Sequence, residues 1–160
     1  MSDLVAIVEV ADKAPGKRGP ISAGERMTKP KRPAPLELNL GPLPVDEINR
    51  TLGHDLDPGD VIFSSAAQTH AARRHPEDFP RCLPHVGGVV SNPDFLGDDL
   101  KNDGIELVAR IPALGGGLLV ALLVEPDANG NYNVLSCYPV GNAKIENRRQ
   151  NGRLIIPKRK

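Results

Sequence analysis

The sequence predicts an α+β domain over residues 36–157, followed by a short basic tail that ends at residue 160. Three observations predict it. Helical signals cluster early, between residues 44 and 90. Strand signals gather late, in the order of an antiparallel meander. A chain of 160 residues is long enough for one domain with a modest core. With no tryptophan and five aromatics in all (Phe63, Phe79, Phe95, Tyr132 and Tyr138), that core must be aliphatic.

Residues 1–10 end in the apolar run Leu4-Val5-Ala6-Ile7-Val8, which suits a strand or a short docking helix. Residues 11–35 are rich in Pro, Gly, Lys and Arg and read as a flexible linker. Residues 1–35 hold seven Lys/Arg against four Asp/Glu, a net charge of +3. The whole chain is neutral, so the remainder is net −3.

Leu36-Glu37-Leu38-Asn39-Leu40 alternates strictly, as a strand with one buried face does. Pro44 opens a short helix carrying Val45, Ile48 and Leu52 at helical spacing, and Gly53 ends it. Asp57-Pro58-Gly59-Asp60 is a turn, and Val61-Ile62-Phe63 a short strand. A helix follows over Ser65–His75. Ser65 and Gln68 have capping-box spacing, and Pro76 stops the helix. Phe79 to Val90 reads as helical despite Pro84 and Gly87-Gly88, and Gly97-Asp98-Asp99 as the start of a loop. Ile105–Ile111 is a strand. Leu118–Glu125, apolar nearly throughout, is a central strand covered on both faces. Asn129-Gly130 turns the chain into Tyr132–Tyr138, which Pro139 ends. Asn142–Asn151 is a polar helix or ordered loop, and Leu154-Ile155-Ile156 a final edge strand.

Charge and composition exclude several classes. A neutral chain does not coat nucleic acid by bulk electrostatics, so any phosphate contact needs a local patch. Cys82 and Cys137 have no paired-motif spacing and read as reduced, buried thiols of a cytoplasmic protein. The start of the chain shows no signal-peptide pattern, and Leu114–Val124 is too short to span a bilayer.

The densest chemistry lies in the helix after Phe63, where His70, Arg73, Arg74 and His75 fall within six residues. RNA cleavage without a metal needs a base for the ribose 2′-OH, an acid for the leaving 5′-oxygen, and donors for charge on the phosphoryl oxygens. Imidazole titrates near neutrality and suits the first two roles, while the guanidinium fork matches phosphate. On an ideal helix His70 and His75 stand about 140° apart, so they share a face only if the helix frays. His70 is then the inward imidazole. The histidines lack the i, i+4 spacing of a helical zinc motif, so no metal or other cofactor is expected. Alternation puts Ser136, Tyr138 and Val134 on one face of their strand, and Leu135 and Cys137 on the other. Arg148 and Arg149 follow closely enough to return to the Ser136–Tyr138 face.

Val61-Ile62-Phe63-Ser64, then His70 and His75-Pro76, then Val89-Val90-Ser91-Asn92-Pro93-Asp94, then paired strands ending in Ser136-Cys137-Tyr138, resemble phage-associated nucleases of the barnase–EndoU–colicin–RelE-like superfamily. The resemblance covers residues 36–157. It implies an α+β fold with helices packed on a four-stranded antiparallel sheet, and metal-independent endoribonuclease chemistry. The site it implies comprises His70, His75, Ser136, Tyr138 and Arg148 as catalytic groups. Arg73, Arg74, Lys144 and Arg149 would bind substrate. It further implies RNA as partner, with tRNA as one candidate, an immunity or antitoxin protein, a phage or prophage source, and attachment to a larger phage polypeptide. Two other readings compete. One is a non-catalytic phage structural or partner-binding module. The other is an NAD-dependent ADP-ribosyltransferase using Glu125 or Glu146.

Overall fold

The computed structural model describes residues 11–14, 16–18 and 33–159. The chain divides into two units, residues 1–33 and 34–160. In the first, β1 (Ala11–Ala14) pairs antiparallel with β2 (Gly16–Arg18). The expectation for Leu4–Val8, and most of the linker expectation, lie outside the described residues.

The second unit is built on a six-stranded mixed sheet in the order β3-β4-β8-β7-β6-β5. Its strands are β3 (Leu38–Pro42), β4 (Asp60–Phe63), β5 (Phe95–Asp99), β6 (Gly104–Ile111), β7 (Gly116–Leu123) and β8 (Tyr132–Gly141). The expected four-stranded antiparallel sheet is therefore corrected twice. β5 is a strand rather than the start of a loop, because Phe95, Leu96 and Gly97 are buried against β6 although the segment continues into Asp98-Asp99. β4 joins the sheet parallel to β8, and only at Val61↔Tyr132 and Ile62↔Asn133.

That short pairing also explains why Pro139 does not end β8, which continues to Gly141. Proline lacks the N–H that an inner strand donates, so it suits an edge. Beyond Asn133 β8 pairs with β7 alone, and Pro139 lies opposite Leu118. Leu154–Ile156 forms only the bridge Leu96↔Ile155 instead of a full edge strand.

The helices are α1 (Val45–Leu52), α2 (Ser65–Arg74), α3 (Phe79–Cys82), α4 (Val86–Ser91) and α5 (Asn142–Gln150). α1 ends at Gly53, whose φ of 75° is the left-handed geometry expected of a helix-ending glycine. The single helix expected over residues 79–90 is broken by a 3-10 turn at Leu83–His85, where Pro84 removes a helical hydrogen bond. The cap of α2 is also corrected. Ser64, not Ser65, is the N-cap, and its Oγ accepts from the Ala67 N–H at 3.1 Å. Gln68 is buried, and its amide donates to the Leu36 and Phe63 carbonyls at 2.7 and 2.9 Å.

Both faces of β7 are covered, as its apolar run predicted. Leu118, Val120 and Leu122 join the main core with Ile48, Ala71, Cys82 and Val89 from the helices. Leu119 and Ala121 enter a smaller cluster with Ile145 and Leu154. Ile145 is the one buried residue of α5. Burying it contributes about 1.5–3 kcal/mol to holding that helix on the sheet. Among the described residues no helix is long and apolar enough to cross a membrane.

Candidate functional site

The site arises where β4 leaves the sheet. After Phe63 the chain turns at Ser64 into α2, which packs along the half of β8 that β4 no longer covers. The later half of β8 carries a β-bulge. Ser136 lies opposite Ala121 but Val134 lies opposite Leu122, so Leu135 is the extra residue. The bulge corrects the expected alternation. Val134 and Cys137 enter the main core, while Leu135 and Tyr138 pack against the smaller cluster. Sequence parity could not show this, because one inserted residue exchanges the faces of everything before it.

Two basins form one cleft over this strand. The first, about 580 Å³, is lined by His70, Arg74, His75, Ser136, Tyr138 and Lys144. The second, about 960 Å³, is lined by Asp98, Asp99, Glu106, Arg148 and Arg153. Arg74, Asn102, Ala121, Ser136 and Tyr138 line both and make them continuous. His75 has left helical geometry as the C-cap of α2, at φ −135° and ψ 66°, which brings it to the same cleft as His70. Its ring stacks on Tyr138 with centroids 5.7 Å apart and planes at 27°. His70 is the exposed imidazole of the pair and His75 the half-buried one, so the expected inward position belongs to His75.

The remaining candidates separate. Arg148 lines the second basin and forms an ion pair with Glu106 at 3.0 Å. Arg149 is turned away, paired with Glu146 at 3.0 Å and set over the Phe95 ring at 5.5 Å. Arg73 is exposed and lines neither basin. Glu125 and Glu146 also lie outside both.

Sequence reasoning missed Glu106. It lies opposite Ala121, which lies opposite Ser136, so the three form one row across the sheet floor. Ala121, with its small side chain, leaves room between them. The available signal was a lone charge inside the apolar stretch Ile105–Ala109. Burial pushes the Glu106 carboxyl above its ordinary value, and Arg148 opposes that shift. Burial likewise raises the Tyr138 phenol, reinforced by the Glu106 charge and opposed by the Arg148 charge. Below the cleft, burial pushes the Cys137 thiol up to about 12, so it stays a protonated core residue. Among the described residues no three His, Cys, Asp or Glu side chains gather as a metal site.

The first basin thus brings two imidazoles, two hydroxyls and the Arg74 and Lys144 cations together over the open half of one strand, within an α+β fold. Residues 39–147 match the family described as phage-Barnase-EndoU-ColicinE5/D-RelE like nuclease3, and the chain belongs to that family. No curated protein and no solved structure matches the chain.

Proposed function

We propose that this protein is a metal-independent endoribonuclease that cleaves RNA by attack of the ribose 2′-OH on the adjacent phosphorus. Membership of a nuclease family makes nucleic acid the substrate class. The observation that carries the finer reading is the convergence of the α2 imidazoles and the β8 hydroxyls on one basin. One of His70 and His75 takes the 2′-OH proton. The 2′-oxygen bonds to phosphorus, the P–O5′ bond breaks, and the other imidazole protonates the departing 5′-oxygen. Arg74 and Lys144 hold the phosphate, and Ser136 and Tyr138 donate to its non-bridging oxygens as charge builds there. The products are a 2′,3′-cyclic phosphate and a 5′-OH. RNA in the bacterial cytoplasm, tRNA included, is the substrate in this reading, and a dedicated inhibitor protein would be its partner.

The test is incubation with total RNA in EDTA, with analysis of the new ends. Discrete cuts bearing cyclic phosphate are expected, and His70→Ala should abolish them. Intact RNA, or equal cutting by His70→Ala, would overturn the reading and leave the non-catalytic module.

A further inference from the structure

The two basins of the cleft differ in charge. No carboxylate among the described residues lines the first, which holds the Arg74 and Lys144 cations. The second sets Asp98, Asp99 and Glu106 among its cations. An anionic phosphate therefore settles in the first, where nothing repels it. The second suits a neutral group joined to that phosphate and rich in hydrogen-bond donors. The sheet floor links the two. Ser136, Ala121, Glu106 and Gly97 lie side by side on four neighbouring strands. Ser136 and Glu106 are two strands apart, roughly 10 Å, a span that one ribose and one base bridge. Ala121 between them is small and leaves the path open. The far end of the row is closed. A Cβ on Gly97 would meet the Arg153 carbonyl oxygen at 2.3 Å, so that segment stands on the floor beyond Glu106. Leu52, Leu100 and Ile155 add apolar surface to the same basin. Apolar walls with acceptors at one edge match the flat faces and polar edge of a nucleobase.

We infer that the second basin binds the base next to the scissile phosphate, and that Glu106 selects a base bearing an exocyclic amino group. This rests on the ribonuclease reading for what lies in the first basin. An ionised carboxylate is an acceptor only. Glu106 Oε1 accepts from Arg148 at 3.0 Å, which fixes the group and leaves Oε2 outside that bond. Asp98 and Asp99 are also held through one oxygen each, by His54 at 2.7 Å and Asn102 at 2.9 Å. The amino groups of guanine, adenine and cytosine can donate to such oxygens. Uracil has no amino group, and its ring N–H at position 3 lies between two carbonyls that a carboxylate repels. Bound there, it would leave a withdrawn acceptor without a donor. An ion pair that only ties α5 to the sheet would have no influence on which base binds.

The test is binding without turnover. The 3′- and 5′-monophosphates of adenosine, guanosine, cytidine and uridine place the base on either side of the phosphate, and inorganic phosphate reports the first basin alone. Each is titrated into the full chain by calorimetry. In at least one series an amino-bearing nucleotide should bind about 10-fold or more tightly than its uridine counterpart. Equal affinities in both series, or no nucleotide tighter than inorganic phosphate, overturn the inference. Glu106→Gln exchanges one acceptor for a donor, so that preference should fall about 10-fold. Glu106→Asp keeps the charge beside Arg148 and withdraws the acceptor by one methylene, and it should lower the preference even if Glu106→Gln does not fold. A folded variant of either kind with the wild-type ranking overturns the role of Glu106. The two readings fail separately. A protein that ranks the nucleotides but cuts no RNA sinks the ribonuclease reading, whereas one that cuts RNA but ranks no nucleotide sinks the base pocket.

Discussion

Tyr132 and Tyr138 belong to one strand and meet opposite surroundings. Tyr132 sits where β4 covers β8. It is 1% exposed, and its hydroxyl donates to the Asp57 carbonyl at 2.6 Å. Tyr138 sits past the bulge, where β4 has left and α2 stands alongside. It is half-buried, stacked on His75 and shared between the two basins. The first tyrosine closes a core and the second opens a cleft. What separates them is the neighbour on the outer edge of the strand. A strand neighbour satisfies the backbone and excludes water, whereas a helix set beside the edge leaves space above it.

This comparison can be broken by substitutions in each half. The largest effect belongs to the open half. Tyr138→Phe keeps the ring and removes one donor, so RNA cleavage should slow by about 10²–10³ with an unchanged thermal midpoint. A shifted midpoint with full activity would mean that Tyr138 is structural after all. In the closed half the sign reverses. Tyr132→Ala empties a fully buried aromatic site and should cost about 3–5 kcal/mol in urea unfolding. Activity per folded molecule should stay unchanged.

Gly59 sharpens the same point with one methyl. A Cβ there would meet the Gly130 carbonyl oxygen at 2.3 Å and the Tyr132 ring at 3.0 Å. The nearest obstacle is backbone, which cannot swing aside, so Gly59→Ala should destabilise by about 1–3 kcal/mol. Equal unfolding curves would show that the Tyr132 end is loosely packed.

The smallest effect is a pH dependence of opposite sign at the two ends. Asp127, in the turn before β8, accepts from the Asn131 N–H, the Asn133 side chain and the Asn129 N–H. These bonds hold its carboxyl below the ordinary value. Its stabilisation is therefore full above the ordinary carboxylate value and is lost as pH falls through the lowered one. Asp127→Asn should flatten the acid limb of thermal midpoint against pH. Glu106 is held above its ordinary value by burial, so its ionisation makes stability fall as pH rises through that range. Glu106→Gln should remove that opposing slope. Two variants with the same pH profile would erase the distinction.

Much of the site was legible because it is local. The α2 segment announces its imidazoles, Pro76 limits the helix, and the Asn-Gly turn delivers Ser136 and Tyr138 on a strand. Arg149 was not legible, because its alternative partners Glu146 and Phe95 are a matter of which face of α5 meets the sheet. The bulge at Leu135 leaves no mark in composition or alternation. It is set by the register of β7 against β8, which only pairing reveals.

The amino-acid sequence by itself determined an aliphatic-cored α+β domain, a doubly covered central strand, and a histidine-bearing helix after Phe63. Each follows from propensity, periodicity or capping over a few neighbouring residues. Tertiary structure alone decided that β4 runs parallel to β8 for two residue pairs and then departs. It alone decided that Glu106 meets Arg148 across 42 positions of chain. Contacts between distant segments depend on how whole elements pack, and no local preference encodes that.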